Sequence, residues 1–138
     1  MITAGPSLVW DIDLKDLRKR FPNASELSDE QTELGEFLRK KFEFEIPKAQ
    51  RKYSRINIHL ECETGADENL DLSLGGEFGE TLGLKNYPVA MKPTPEGKVV
   101  NCTVGIAGGL LSFYPKLSRI HDSSQDSVSF KVRIKYMN

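Results

Sequence analysis

From residue 127 to residue 137 every second side chain is apolar: Val128, Phe130, Val132, Ile134 and Tyr136 alternate with Ser129, Lys131, Arg133 and Lys135. A helix repeats its faces every 3.6 residues, whereas a strand sends successive side chains to opposite faces, so only a strand gathers these five apolar groups on one side. One face buried and one face wet is the habit of antiparallel rather than parallel sheets. The pattern recurs upstream. Ile56, Ile58, Leu60 and Cys62 alternate with Arg55, Asn57, His59, Glu61 and Glu63, and shorter alternations run through Phe42, Phe44 and Ile46, through Leu70, Leu72 and Leu74, and through Val100, Cys102, Val104 and Ile106.

Ahead of these strands the period is helical. Leu14, Leu17 and Phe21 recur at spacings of three and four before Pro22, which predicts a helix over 13–21. Ser28 and Gln31 have capping-box spacing, and Leu34, Phe37 and Leu38 form a stripe. Arg39, Lys40 and Lys41 then suit the negative end of a helix dipole, so a second helix is predicted over 29–41. Helices first and strands afterwards give an α+β expectation: two N-terminal helices packed on a mostly antiparallel sheet of five to seven strands, with curling into a barrel or sandwich left open. Residues 65–69 and 92–98 read as turns, and no linker divides the chain, so a single globular domain is expected over 1–138.

At 138 residues the chain is long enough for a core that needs no covalent staple. Cys62 and Cys102 fall on apolar faces and suit small buried thiols, which points to a reducing, cytoplasmic setting and leaves the formal sequon at Asn101 unused. No apolar run approaches a membrane span, and residues 1–14 lack the basic and apolar regions of a secretory signal, so no membrane partner is expected. The net charge of −1 hides segregation. Seven acids and no Lys or Arg lie between Glu61 and Glu80, whereas seven bases and two acids lie between Arg39 and Arg55. Such polarity suits self-assembly or the steering of a partner.

Candidate chemistry is sparse. Residues 7–17, SLVWDIDLKDL, place an apolar run before Asp11 and Asp13, and this resembles the first motif of haloacid-dehalogenase-type phosphatases. The resemblance implies a nucleophilic Asp11, a general-acid Asp13 and magnesium. Lys15 stands where that motif carries Thr or Val, and that family needs a large parallel sheet, so Asp13 is read instead as the cap of the first helix. Residues 75–84, GGEFGETLGL, lack the Lys and Ser/Thr of a phosphate loop and read as a structural loop; Gly108 and Gly109 suit a turn. His59 and His121 have no ligand-spaced companions, so no metal, cofactor or catalytic set is assigned.

Binding is assigned to cations: Lys131, Arg133 and Lys135 on the wet face of the last strand, with Arg51, Lys52, Arg55 and His59 upstream. Cross-strand pairing with Glu61, Glu63 or Asp71 is the competing use of the C-terminal three. The expectation is a non-enzymatic protein-interaction or assembly module, acting through a protein partner or self-association. The alternatives are a small enzyme or ligand-binding domain with a pocket between helices and sheet, and a nucleic-acid-binding domain. The cations of the last strand have no alternating exposed aromatics on which bases could stack.

Overall fold

The computed structural model describes residues 2–23, 32–63, 67–77, 89–106 and 109–138. Strand β1 (Ile2–Asp13) leads directly into helix α1 (Leu14–Arg20). Helix α2 (Glu33–Phe42) and the short β2 (Phe44–Glu45) follow, then β3 (Arg55–Cys62), β4 (Asp71–Glu77), β5 (Val89–Ala90), β6 (Lys92–Thr94), β7 (Gly97–Gly105), β8 (Ser112–Ser118) and β9 (Ser127–Met137). The strands form two antiparallel sheets, ordered β1-β9-β3-β7-β6 and β2-β8-β4-β5.

This corrects the expected architecture. The chain is α+β with antiparallel sheets, but the apolar face of the larger sheet is covered by a second sheet and not by two N-terminal helices. Neither sheet closes into a barrel, and a twelve-residue strand precedes both helices. Residues 92–98, read as a turn, include β6 and the start of β7, and the two-residue β5 was not foreseen. Two longer strands, β1 and β8, escaped the sequence pattern for physical reasons. In β1 the register against β9 shifts between Ala4 and Ser7, around Gly5 and Pro6, which breaks the alternation. In β8 every residue is buried, so no polar face marks the strand, and Pro115 argues against a ladder position. That proline is tolerated because β2 reaches only Phe113 and Ser112, leaving Pro115 with a strand neighbour on the β4 side alone.

Ile56, Ile58, Leu60 and Cys62 of β3, with Val128, Phe130, Val132, Ile134 and Tyr136 of β9, face Leu72, Leu74, Phe113 and Leu117 of the second sheet in one apolar core. Aromatic rings close its β1 side. Trp10 lies 6.1 Å from Phe113, Phe44 lies 5.3 Å from Phe113, and Tyr53 stacks on Tyr136 while its hydroxyl shares a 3.0 Å hydrogen bond with Thr3. Gly75 and Gly76, read as part of a loop, are strand residues of β4; a Cβ on Gly75 would meet the Lys116 stem at 2.7 Å. The rest of that glycine-rich segment (78–84), Gly108, and the proposed cap residues Ser28 and Gln31 lie outside the described residues.

The helices close the ends and flank. Asp13 caps α1, its carboxylate accepting from the Asp16 amide at 3.0 Å, as the sequence indicated. Thr32 caps α2, whose Leu34, Leu38 and Phe42 enter the core alongside β8. Arg18 ties α1 to the chain that returns about a hundred residues later. Its guanidinium donates to the carbonyls of Ile120 (3.2 Å), Ser123 (3.2 Å) and Gln125 (2.8 Å) and lies 3.4 Å from an Asp126 carboxylate oxygen. Asp126 in turn accepts the Leu14 and Lys15 amides on its backbone carbonyl.

Candidate interaction face and edge

The outer face of the larger sheet gathers five of the seven predicted binding residues. Alternation puts the odd-numbered side chains of β3 and β9 outward, and the register fixes their rows. Ser7, Arg133, His59 and Asn101 form one row; Ala4, Lys135, Asn57 and Thr103 a second; Val9, Lys131, Glu61 and Val99 a third. Arg55 lies on the same face beside Met137, its guanidinium donating to the Asn138 carbonyl at 2.8 Å.

Arg51 and Lys52 lie apart from this face, in the turn before β3. Arg51 Nε donates to the Ile46 carbonyl at 3.2 Å and its guanidinium lies 3.4 Å from Glu45, so it braces that turn. The Lys52 ammonium sits 5.5 Å from the Tyr53 ring centroid.

The three cations of β9 divide. Lys131 bonds the Glu63 carboxylate and stands directly opposite Glu61, and these acids hold its ammonium above the ordinary lysine range, the Glu63 hydrogen bond foremost. Arg133 faces Ser7 and His59, and Lys135 faces Ala4 and Asn57; neither has an ion pair among the described residues. Asp71, expected as a further partner, lies in the other sheet opposite Ser118. His59 Nε2 lies 3.4 Å from Glu61, and the Asn57 side-chain amide donates to Asn101 at 2.8 Å and Thr103 at 3.0 Å.

Sequence reasoning missed the feature that bounds this face. At the sheet edges β2, β5 and β6 are two or three residues long, whereas β1 is twelve, and no described strand pairs with its outer side. Proteins blunt such edges with Pro, bulges and Lys. Pro6 and the register shift do so for the first half of β1, but residues 7–13 run in regular register with no Lys or Pro. Val9 within that half is 63% exposed, as is Ile2 at the start of the strand. The part of β7 beyond Val99 also lacks a described neighbour on one side, but its outward side chains, Asn101 and Thr103, are polar and tied to Asn57.

Two clefts among the described residues do not assemble a catalytic set. One of about 500 Å³ is lined by Asp11, Asp13, Lys15 and Asp126, yet Asp11 accepts the Ser129 hydroxyl at 2.7 Å, Asp13 caps α1 and Asp126 faces Arg18. With β1 in an antiparallel edge, the phosphatase-like arrangement of Asp11 and Asp13 has no counterpart here. A second cleft, about 250 Å³, is lined by Cys62, Glu61, Glu63 and the β6–β7 hairpin. Burial pushes the Cys62 thiol up to about 11, which leaves little thiolate for nucleophilic work near neutrality. His121 donates its Nε2–H to the Phe21 carbonyl at 2.8 Å, a packing role. No cluster of three His, Cys, Asp or Glu side chains among the described residues is arranged to hold a metal. No described helix is long and apolar enough to cross a membrane. No protein-family model, curated protein or solved structure matches the chain.

Proposed function

We propose that this chain is a non-catalytic interaction or assembly module of the cytoplasm, and that it engages its partner through the β1 edge and the adjoining outer face. One observation carries the reading: the long strand edge, half of it without Pro, bulge or Lys and bearing an exposed Val9, lies beside two cations without an acidic partner among the described residues. A free edge offers backbone donors and acceptors in register, and flanking side chains supply selectivity. Two free thiols, Cys62 and Cys102, suit the reducing compartment proposed.

Light scattering on size-exclusion fractions tests this, with the purified chain and with the chain added to cell extract. The expected result is a complex, with itself or another protein, that Val9→Lys abolishes while the folded mass of the monomer is kept. A complex indifferent to Val9→Lys contradicts the edge. Tight, salt-dependent binding to labelled single- or double-stranded nucleic acid, lost when Arg133 and Lys135 are neutralised, would replace this reading with the nucleic-acid one.

A further inference from the structure

Taking the interaction reading as its basis, we infer that the occupant of the β1 edge is a second copy of the same chain, paired antiparallel about a two-fold axis at Val9. A two-fold perpendicular to the sheet keeps the same face outward in both copies, so each residue must pair with one of its own parity, and the two positions sum to an even number. Of the centres in residues 7–13, those at Asp11, Ile12 and Asp13 set aspartate against aspartate and the one at Ser7 puts Val9 opposite Gly5, which leaves three. Centred on Leu8, the partner's Asp11 falls opposite Gly5, in the irregular stretch between Ala4 and Ser7. Centred on Trp10, each Asp11 lies against the exposed apolar Val9 of the other copy. Centred on Val9, the two exposed valines cover each other, Leu8 meets Trp10, and Asp11 of each copy lies opposite Ser7 of the other.

The Val9 register also answers an electrostatic question. Ser7 is flanked on its other side by Arg133. Asp11 of the second copy would therefore stand two strand spacings from Arg133, about 9.5 Å between backbones, with only a serine between them. An extended arginine and an aspartate bridge that gap. Asp13 of the second copy falls opposite Gly5, in the irregular stretch, and its carboxylate already caps α1, so the charge match rests on Asp11 and Arg133. Asp11 and Arg133, which do not pair within one chain, thus meet across the axis, twice per dimer. The five-stranded sheets of the two copies join into one continuous sheet, with the aromatic closure around Trp10 and Tyr53 left in place. An edge contact of this length belongs with small, reversible interfaces.

Sedimentation velocity over a concentration series tests the pairing, with Val9→Lys, Asp11→Arg and Arg133→Asp as variants and thermal melts to confirm that each is folded. Wild type is expected to form a dimer that weakens as salt rises, and each variant to weaken it about tenfold or more. Mixing Asp11→Arg with Arg133→Asp should restore association. In the mixed dimer the two substituted side chains face each other at one end with their charges exchanged, and the native Asp11 of one copy faces the native Arg133 of the other at the opposite end. A variant that merely misfolds is not rescued by mixing. Single variants that dimerise as wild type, or a mixture that stays dissociated, overturn the register. A wild type monomeric throughout the series overturns the second-copy inference. A Val9-dependent complex then found in extract leaves the broader interaction reading standing, and its absence removes both.

Discussion

Replacing Arg18 by alanine removes the side chain that makes most of the side-chain hydrogen bonds between α1 and the segment joining β8 to β9, where His121 adds one to the Phe21 carbonyl. Three backbone carbonyls, those of Ile120, Ser123 and Gln125, lose their guanidinium donor, and the Asp126 carboxylate loses its partner. The Arg18 side chain is 21% exposed, so the carbonyls are only partly able to take water in exchange. Taking about 1 kcal/mol for each of three hydrogen bonds, with the packed stem adding a little and rehydration subtracting, the expected loss is about 2–4 kcal/mol. Arg18→Lys keeps the charge but offers a point donor in place of a planar fork, so it should recover less than half of that loss. Urea unfolding followed by tryptophan fluorescence measures both variants. The midpoint should fall with the slope unchanged, since Trp10 reports from the core side of β1 and the native fold is retained. A loss below about 0.5 kcal/mol for Arg18→Ala would refute the clamp, and equal effects of Ala and Lys would refute the argument from its geometry.

Other outcomes follow from single residues. Asp13→Ala should cost about 0.5–2 kcal/mol as a lost cap, and magnesium should leave the melting temperature of wild type unchanged; magnesium-dependent phosphatase activity lost in Asp11→Asn would reverse that assignment. Phe130→Ala, fully buried between Trp10 and Cys62 in the ladder, should cost about 3–5 kcal/mol in urea unfolding, and a loss under about 1 kcal/mol would mean the face is not the core. The Cys62 thiol, held near 11 by burial against an ordinary value of 9.0, keeps its proton in the folded state while the unfolded chain loses it, so its contribution to stability is constant below pH 9 and declines between 9 and 11. Cys62→Ala should flatten that alkaline decline in part, because Cys102 and Tyr136 are raised by burial in the same sense. An unchanged decline would contradict the burial of the thiol.

Clean alternation made β3, β7 and β9 legible, and with them the row of cations on the outer face. It did not reveal that the apolar faces meet a second sheet, because alternation says which side is buried and not what covers it. β8 is covered on both faces and has no period to read. β1 carries its irregularity at Gly5 and Pro6 and half-exposes its inward residues at the sheet edge, so its signal was diluted into an apolar run before a helix. The candidate site was legible as charge on β9 and β3. The edge beside it was not, since an edge is defined by the absence of a neighbour, and Arg18 acts on carbonyls that lie about a hundred residues away in sequence.

Hydrogen exchange in β1 tests the central claim most directly. In an antiparallel strand alternate amides point to opposite neighbours, so those directed at β9 are protected whatever the protein concentration, and those directed at the free edge are protected only when something pairs with them. Over residues 7–13 the purified chain should show a period-two pattern when dilute, and the fast-exchanging half should slow as concentration rises, with Val9→Lys staying in the dilute pattern. Edge-directed amides that exchange equally fast at every concentration, or that are protected in both the dilute wild type and Val9→Lys, would contradict the claim that β1 is the edge on which this protein assembles.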